Sequence, residues 1–152
     1  MTLSNIFTEE VAQATINRIN TLQKSTSANW GKMNAGQMLA HCNVTYEMVY
    51  EDKHPKPNFF LKFILKTFVK PTVVGPKAYP KSSSTAPQFI VKEEKDFDAE
   101  KKRLTDHILK TQQLGENHFH NKESHSFGML TKDEWNNLFY KHLDHHLTQF
   151  GV

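Results

Sequence analysis

The chain has 152 residues, 38% of them hydrophobic, which is enough for one ordinary domain with a buried core. Its formal charge of +3 comes from scattered lysines, so we expect no nucleic-acid partner. The single cysteine, Cys42, cannot form an internal disulfide, the N-terminus lacks the apolar segment of a signal peptide, and no apolar stretch reaches the roughly 20 residues of a membrane-spanning helix. We therefore expect one domain, residues 1–152, in a reducing cytoplasm and without a membrane partner.

Apolar residues recur at helical spacing along most of the chain, and this pattern predicts an all-α fold. Four long helices are expected, at about residues 9–23, 34–52, 97–113 and 131–150. The link between the first two helices is short, so they should be antiparallel neighbours. The link between the second and third is long enough for these two to run parallel. The predicted topology is an up-down-down-up four-helix bundle.

Capping signals predict where two of these helices begin or end. Thr131 and Glu134 form a capping box, and Leu130 and Trp135 are placed as its hydrophobic staple. The fourth helix should therefore begin at this point. Gly115 is expected to end the third helix, and the stretch between the two is predicted to be irregular.

The connection between the second and third helices carries a short extra helix, predicted over residues 59–69. Its lysines share one face and its aromatic residues the other. Such a segment can lie on a membrane surface, but packing of the aromatic face against the bundle or a second subunit is commoner, and we favour it. The proline-rich residues 71–95 then form the crossover, in which residues 88–91 are expected to be briefly extended.

Three of the nine histidines lie within five residues of the fourth predicted helix. If each residue turns the helix by about 100°, His142 and His146 fall on the buried stripe, whereas His145 drifts to its edge. Two imidazoles at positions i and i+4 project from one face about one turn apart, so both can bind one metal ion. His145 is therefore the weaker ligand candidate.

A third ligand has to come from another helix at the same height. His41 lies about 10 Å along the second helix, and the midpoint of His142 and His146 lies about 9 Å from the end of the fourth. Antiparallel packing of these two helices brings the three histidines level. Three buried imidazoles without partners would leave ring nitrogens unsatisfied, at roughly 1 to 3 kcal/mol each. A shared divalent metal removes that cost, so we predict a metal site formed by His41, His142 and His146.

Other polar residues near these histidines are weaker candidates. Gln149, Gln37 and Asp144 can orient the imidazoles through their second ring nitrogens, although each is also an ordinary helix residue. Cys42 points about 100° away from His41 and is expected to be a small buried residue. The loop histidines can rim the pocket, but solvated positions are expected for His118, His120 and His125.

The motif QMLAH at residues 37–41, followed by KHLDHHLTQFG at residues 141–151, resembles the DinB/YfiT-like superfamily of bacterial metalloenzymes. The segment SFGMLT at residues 126–131 is similar to a branch of uncharacterised domain-of-unknown-function proteins that end in KHLxHHLxQFG. The resemblance covers essentially the whole chain. It implies a four-helix up-down-down-up bundle in which His41, His142 and His146 hold one nickel or zinc ion. It also implies a homodimer and, in some members, a low-molecular-weight thiol such as bacillithiol or mycothiol as co-substrate.

Three neutral histidines leave at least one coordination position open, which is typical of a catalytic metal site. We therefore expect a metal-dependent enzyme acting on a small molecule, either a hydrolase that activates water or a transferase that activates a thiol. No general base is assured, because neither Glu47 nor Tyr140 plainly points inward. The alternative is a metal-stabilised or metal-free bundle that acts as a dimeric binding protein through its first helix or residues 59–69.

Overall fold

The structure is a computed structural model that describes residues 3–152. Helices make up most of it, which broadly confirms the all-α prediction, and a small two-stranded sheet is the addition. None of the helices within the described residues combines the length and apolarity that crossing a membrane requires. In chain order the helices are α1 (Glu9–Thr21), α2 (Ala35–Tyr50), α3 (Phe59–Ile64), α4 (Lys70–Val74), α5 (Phe97–Phe119), α6 (Lys132–Asn136) and α7 (His142–Gln149).

Two pairs of these helices are joined without a loop. A π-helical turn, Leu65–Val69, connects α3 to α4, and a second one, Asn137–Lys141, connects α6 to α7. Each pair is therefore one helical segment with a locally wider turn. The predicted short helix and the predicted fourth helix correspond to these two segments.

Side-chain caps fix the starts of the central helices. The Asn34 side chain accepts from the backbone N–H of Gln37, and the Gln37 side chain accepts from the N–H of Asn34. Thr131 and Glu134 make the same reciprocal pair at the start of α6. Each capping box satisfies two backbone donors that a helix start leaves free. The predicted start of the fourth helix is confirmed.

Gly115 interrupts the third long helix, as predicted, because its backbone is not helical (φ +76°, ψ 165°). Beyond this break a further helical turn, counted here with α5, continues to Phe119 and was not predicted. Glycine adopts this conformation without steric cost. The extra turn is stabilised because it buries Phe119, whose ring centroid lies 5.4 Å from those of Trp135 and Phe139.

Two connections also differ from the sequence prediction. The supposedly irregular stretch before α6 contains an antiparallel hairpin of β1 (Lys122–Ser124) and β2 (Gly128–Leu130). A hydrogen bond from the Ser124 hydroxyl to the Gly128 carbonyl (2.8 Å) closes it. The supposedly extended residues 88–91 overlap a 3₁₀ turn, Pro87–Phe89, because proline fixes a helical φ and its carbonyl accepts from the N–H of Ile90.

Helix α2 is the most deeply buried element of the fold. Twelve of its sixteen residues are buried, and His41 is one of them. It packs against α5 and α7, and α1 packs against the same two helices. Because α2 has neighbours on several sides, a polar side chain on its inward face needs a partner within the protein.

The α3–α4 segment meets the protein through two of its lysines and through the partly buried Leu65 and Val69. Lys62 binds Glu123 (2.6 Å), and Lys70 binds Glu134 (2.8 Å). The aromatic face points away from the protein and is exposed. It does not pack against the bundle, which was one of the two arrangements that the sequence favoured; packing against a second subunit was the other.

A buried lysine anchors the crossover that follows this segment. The Nζ atom of Lys141 donates to the backbone carbonyls of Thr72, Gly75 and Lys77. Burial lowers the pKa of Lys141 to about 8. The start of the crossover is thus fixed to the last helical segment one residue before His142.

Candidate metal centre

The structure brings together the three histidines that the sequence singles out. His41 comes from the middle of α2, and His142 and His146 from one face of α7. The Nε2 atoms of His41 and His142 are 3.0 Å apart, and one ring nitrogen of each histidine lies within 4.8 Å of the others. His41 and His146 are buried, and His142 is partly buried. Three histidines so placed could hold a metal ion.

A backbone carbonyl fixes the orientation of the His41 ring. Its Nδ1 atom lies 2.8 Å from the carbonyl oxygen of Phe89, in the 3₁₀ turn of the crossover. A carbonyl can only accept, so Nδ1 carries the proton. The Nε2 atom of His41 therefore presents a lone pair toward His142.

A glutamine fixes His146 in the same way. The Gln149 amide nitrogen donates to the backbone carbonyl of Trp30 (2.7 Å), so the amide oxygen is the group that faces His146. That oxygen lies 2.7 Å from Nδ1 of His146, which must therefore be the protonated nitrogen. The Nε2 atom of His146 is left free to bind a metal. The predicted orienting role of Gln149 agrees with these contacts.

The third ring, His142, has a partner that allows two tautomers. Its Nδ1 atom lies 3.1 Å from the Thr45 hydroxyl, which can donate or accept. If His142 donates, its Nε2 lone pair faces that of His41 at 3.0 Å, an arrangement that a cation between them stabilises. If it accepts, its Nε2–H donates to His41. A bound metal should therefore select the first tautomer.

The distances and donor types fit a divalent transition metal. Around a tetrahedral ion with bonds of about 2.0 to 2.1 Å, ligand nitrogens lie about 3.3 Å apart. The nitrogens of the three histidines are 3.0 to 4.8 Å apart, which brackets this value, so small side-chain rotations are enough to bring all three onto one ion. Imidazole suits zinc, copper, iron and nickel, and each ring nitrogen remote from the centre already has a hydrogen-bond partner.

The three imidazoles are neutral at pH 7, as metal ligands must be. Burial lowers the pKa of His146 to about 3, and His41 adds to this effect. Burial also lowers the pKa of His142 well below its usual range, with His146 and His41 adding to it. The pKa of His41 is lowered by burial as well, although its bond to the Phe89 carbonyl opposes the change.

The histidines line a cavity of about 1390 Å³, larger than a typical small-molecule pocket. Tyr79 and Phe89 lie edge-on to His142, with ring centroids 6.4 and 5.8 Å away. The Tyr79 hydroxyl donates to a backbone carbonyl, and burial raises its pKa. These rings leave space for a ligand beside the three nitrogens.

His145 and two of the candidate orienting residues lie outside the cluster. His145 packs between Trp30 and Tyr79, with ring centroids 5.9 and 5.6 Å away. Asp144 binds Arg18 instead of a histidine. Gln37 caps α2 and donates to backbone carbonyls of the crossover, so the orienting roles expected for Asp144 and Gln37 are wrong.

Neither suspected general base faces the histidines. Glu47 is held by Lys53, Arg103 and His54 at 2.6 to 2.7 Å. Burial acts to raise the pKa of Glu47, but these hydrogen bonds outweigh it and lower the pKa to about 2. Tyr140 packs against the hydrophobic core. Neither residue can therefore be assigned as the general base.

The cysteine and the three histidines near the hairpin occupy positions that largely agree with the sequence expectations. Cys42 is buried, as expected, and burial raises the pKa of its thiol. His118 and His120 are exposed, in agreement with the solvated positions expected. His125 lines the cavity and lies within hydrogen-bond distance of the His54 carbonyl (3.1 Å), so it rims the pocket.

Three residues of the site were not identified from the sequence: Thr45, Tyr79 and Phe89. Thr45 lies one turn after His41 on the same helix, and that spacing could have identified it. Tyr79 and Phe89 lie in the crossover, where no periodicity indicates which residues face the histidines.

The sequence profile of a protein family described as "Protein of unknown function (DUF1569)" matches residues 6–151. No curated protein and no solved structure matches the chain. The match spans nearly the whole chain and agrees with the resemblance to proteins that contain a domain of unknown function. The chain therefore belongs to the DUF1569 family.

Proposed function

We propose that this protein is a metal-dependent enzyme whose ligands are His41, His142 and His146. One observation carries the proposal: the ring nitrogens converge, while the opposite nitrogens are held by Phe89, Thr45 and Gln149. Metal-binding histidines are commonly oriented through their second nitrogen in this way. A structural histidine cluster would also need partners for these nitrogens, but it would not need the three remaining nitrogens to converge on one point.

The cavity beside the histidines favours an enzyme over a closed structural site. When bound, a divalent metal on three imidazoles supplies a Lewis acid that lowers the pKa of a water or thiol at its open position. We propose hydrolysis or thiol transfer as the reaction class, with nickel or zinc as the metal. The substrate would have an apolar part, because Leu65, Val69 and Leu138 also line the cavity.

We also propose that the long helices form the up-down-down-up bundle of the DinB-like superfamily. Contacts of α2 with α5, and of α1 and its flanking residues with α6–α7, rise together in residue number, which supports parallel directions. Contacts of α2 and the residues before it with α7, and of the residues flanking α1 with α5, run in opposite order, which supports antiparallel directions. The pairs that run in the same direction are Asn43–Glu100 and Tyr50–Thr111 for α2 with α5, and Ile6–Asn136 and Arg18–Asp144 for α1 and its flanking residues with α6–α7. The pairs that run in opposite order are Asn29–Gln149 and Thr45–His142 for α2 and the residues before it with α7, and Asn5–Glu116 and Leu22–Lys101 for the residues flanking α1 with α5.

Elemental analysis of the purified protein tests the metal site. The wild type should contain about one transition-metal ion per chain, and His142→Ala and His146→Ala should lose it. The control is His145→Ala, which changes the neighbouring imidazole on the same helix and should keep the metal. Equal metal content in all four proteins would overturn the assignment of the ligands.

Activity assays separate the enzyme from the structural alternative. The metal-loaded protein is screened for ester and amide hydrolysis and for transfer of low-molecular-weight thiols to electrophiles, beside His41→Ala. Turnover that disappears in His41→Ala supports the proposal. A metal that is present but does not bind azide or a thiol, as seen in the spectrum of the cobalt-substituted protein, favours a closed structural site.

A further inference from the structure

The α3 helix and the π turn after it carry four exposed phenylalanines, which we call the aromatic surface. Their exposed fractions are 90% for Phe59, 72% for Phe60, 59% for Phe63 and 71% for Phe68. Single exposed hydrophobic residues are ordinary, but a cluster of large aromatic side chains on one helical segment marks an interaction site. The proposed enzyme activity makes no use of it.

Two ion pairs and the partly buried Leu65 and Val69 hold this segment against the protein. Lys62 and Lys70 bind Glu123 and Glu134, which lie on β1 and α6. Rolling the helix to bury the phenylalanines would break both ion pairs. The aromatic surface is therefore held outward by the fold.

The charge around the aromatic surface is strongly positive. Residues 53–92 contain eight lysines and no acidic residue, so they carry +8, whereas the rest of the chain carries −5. Lys56 and Lys66 flank or interrupt the aromatic surface, and both are exposed. Within the described residues neither has a carboxylate partner. A partner for this surface should therefore be both apolar and anionic.

We propose that the aromatic surface docks on an anionic phospholipid membrane. A helix with aromatic side chains on its outer face and lysines beside them lies in the plane of the lipid interface, with its rings among the acyl chains and its ammonium groups at the phosphates. A second copy of the chain fits less well, because a symmetric pair would place two cationic segments against each other.

The cavity opens beside the same surface. Leu61 and Phe68 line the cavity and are also exposed on the outer side of the segment. Docking would therefore bring the mouth of the cavity close to the lipid. An apolar ligand could then pass between the membrane and the cavity without crossing water.

Co-sedimentation with vesicles tests the docking. The wild type should bind phosphatidylcholine vesicles that contain one-third phosphatidylglycerol, and bind them less as salt is added. The double variant Phe60→Ser/Phe63→Ser should bind the vesicles at least about tenfold more weakly, because two aromatic rings no longer insert into the lipid. Lys66→Glu should also lower binding, by about 25-fold, since it changes the charge by two units and each unit near the surface contributes about fivefold.

Two controls separate docking from other effects. Leu109→Ser removes an exposed hydrophobic side chain from α5, outside the aromatic surface, and should bind like the wild type. His142→Ala should also bind normally, because docking does not depend on the metal. All four variants change exposed or cavity-lining residues, and circular dichroism verifies that each is folded.

Three results would overturn the docking proposal. The first is that the wild type fails to sediment with the anionic vesicles. The second is that Phe60→Ser/Phe63→Ser sediments with the vesicles as well as Leu109→Ser does. The third is that sedimentation velocity shows a wild-type dimer that Phe60→Ser/Phe63→Ser converts to a monomer, with no binding to vesicles. The last result would assign the surface to a second copy of the chain.

Discussion

Replacing Gln149 by methionine should lower the affinity for a divalent metal by about 10- to 100-fold, or about 1.4 to 2.7 kcal/mol. Methionine has nearly the same length but cannot accept from Nδ1 of His146, which now lies 2.7 Å from the glutamine oxygen. The His146 ring would then lose the bond that keeps its Nε2 lone pair on the metal side. It would also be free to change tautomer and rotate.

A second substitution separates this effect from general damage to the fold. Gln149→Glu keeps an acceptor for His146 but loses the amide N–H that donates to the Trp30 carbonyl (2.7 Å). It should therefore retain the metal affinity of the wild type or exceed it, since a carboxylate raises the basicity of a ligating imidazole. Its free energy of unfolding should fall by about 1 to 3 kcal/mol, because a buried carbonyl is left without a donor.

The assay is competition for zinc against a chromophoric chelator at pH 7, with unfolding by denaturant measured on the same metal-free samples. The expected pattern is weak binding for Gln149→Met and strong binding for Gln149→Glu. Equal affinities in both variants, whether high or low, would refute the reasoning. In that case the contact with His146 does not orient a metal ligand.

Glu47→Gln should lower the free energy of unfolding by about 2 to 3 kcal/mol at pH 7, because the folded pKa of Glu47 is about 2 and solvent partly screens its exposed partner Lys53. A carboxyl group with a lowered pKa stabilises the fold above about pH 4.5 and stops doing so as the pH falls toward 2. Denaturant unfolding should therefore show the stability difference between Glu47→Gln and the wild type closing over that pH range. The control Glu51→Gln changes an exposed carboxylate and should lower the stability less. Lys141→Met should speed limited proteolysis of the crossover, because three backbone carbonyls lose their donor. Gly31→Ala should weaken zinc binding in the chelator assay, because φ is +85° and a Cβ would lie 2.5 Å from the amide nitrogen of Gln149.

Local sequence signals predicted the helix starts and the break at Gly115, but not the helical turn that follows the break. Thr131 and Glu134 are three residues apart, so the chemistry of their capping box is complete within one turn. The end of α5 depends instead on Phe119, which is buried against residues far away in sequence. Gly115 breaks the helix locally, whereas the burial of Phe119 decides that another helical turn forms beyond the break.

Periodicity likewise predicted two faces for residues 59–69 but could not say which one meets the protein. The usual rule buries the aromatic face. Here the acids that bind Lys62 and Lys70 come from β1 and α6, about sixty residues later in the chain. These ion pairs, together with the partly buried Leu65 and Val69, therefore hold the segment with its phenylalanines outward.

The metal centre combines parts that could be predicted with one that could not. His142, His146 and Gln149 follow helical spacing, so a helical wheel places all three on one side of α7. The orientation of His41 depends on the Phe89 carbonyl. Every residue has a backbone carbonyl, so the sequence does not indicate which one accepts this hydrogen bond. The position of the Phe89 carbonyl is set by the path of the whole crossover, which Lys141 fixes at the other end. Loosening the crossover should therefore disorder His41 before it disturbs the pair on α7, so the site depends on a loop that carries no metal ligand.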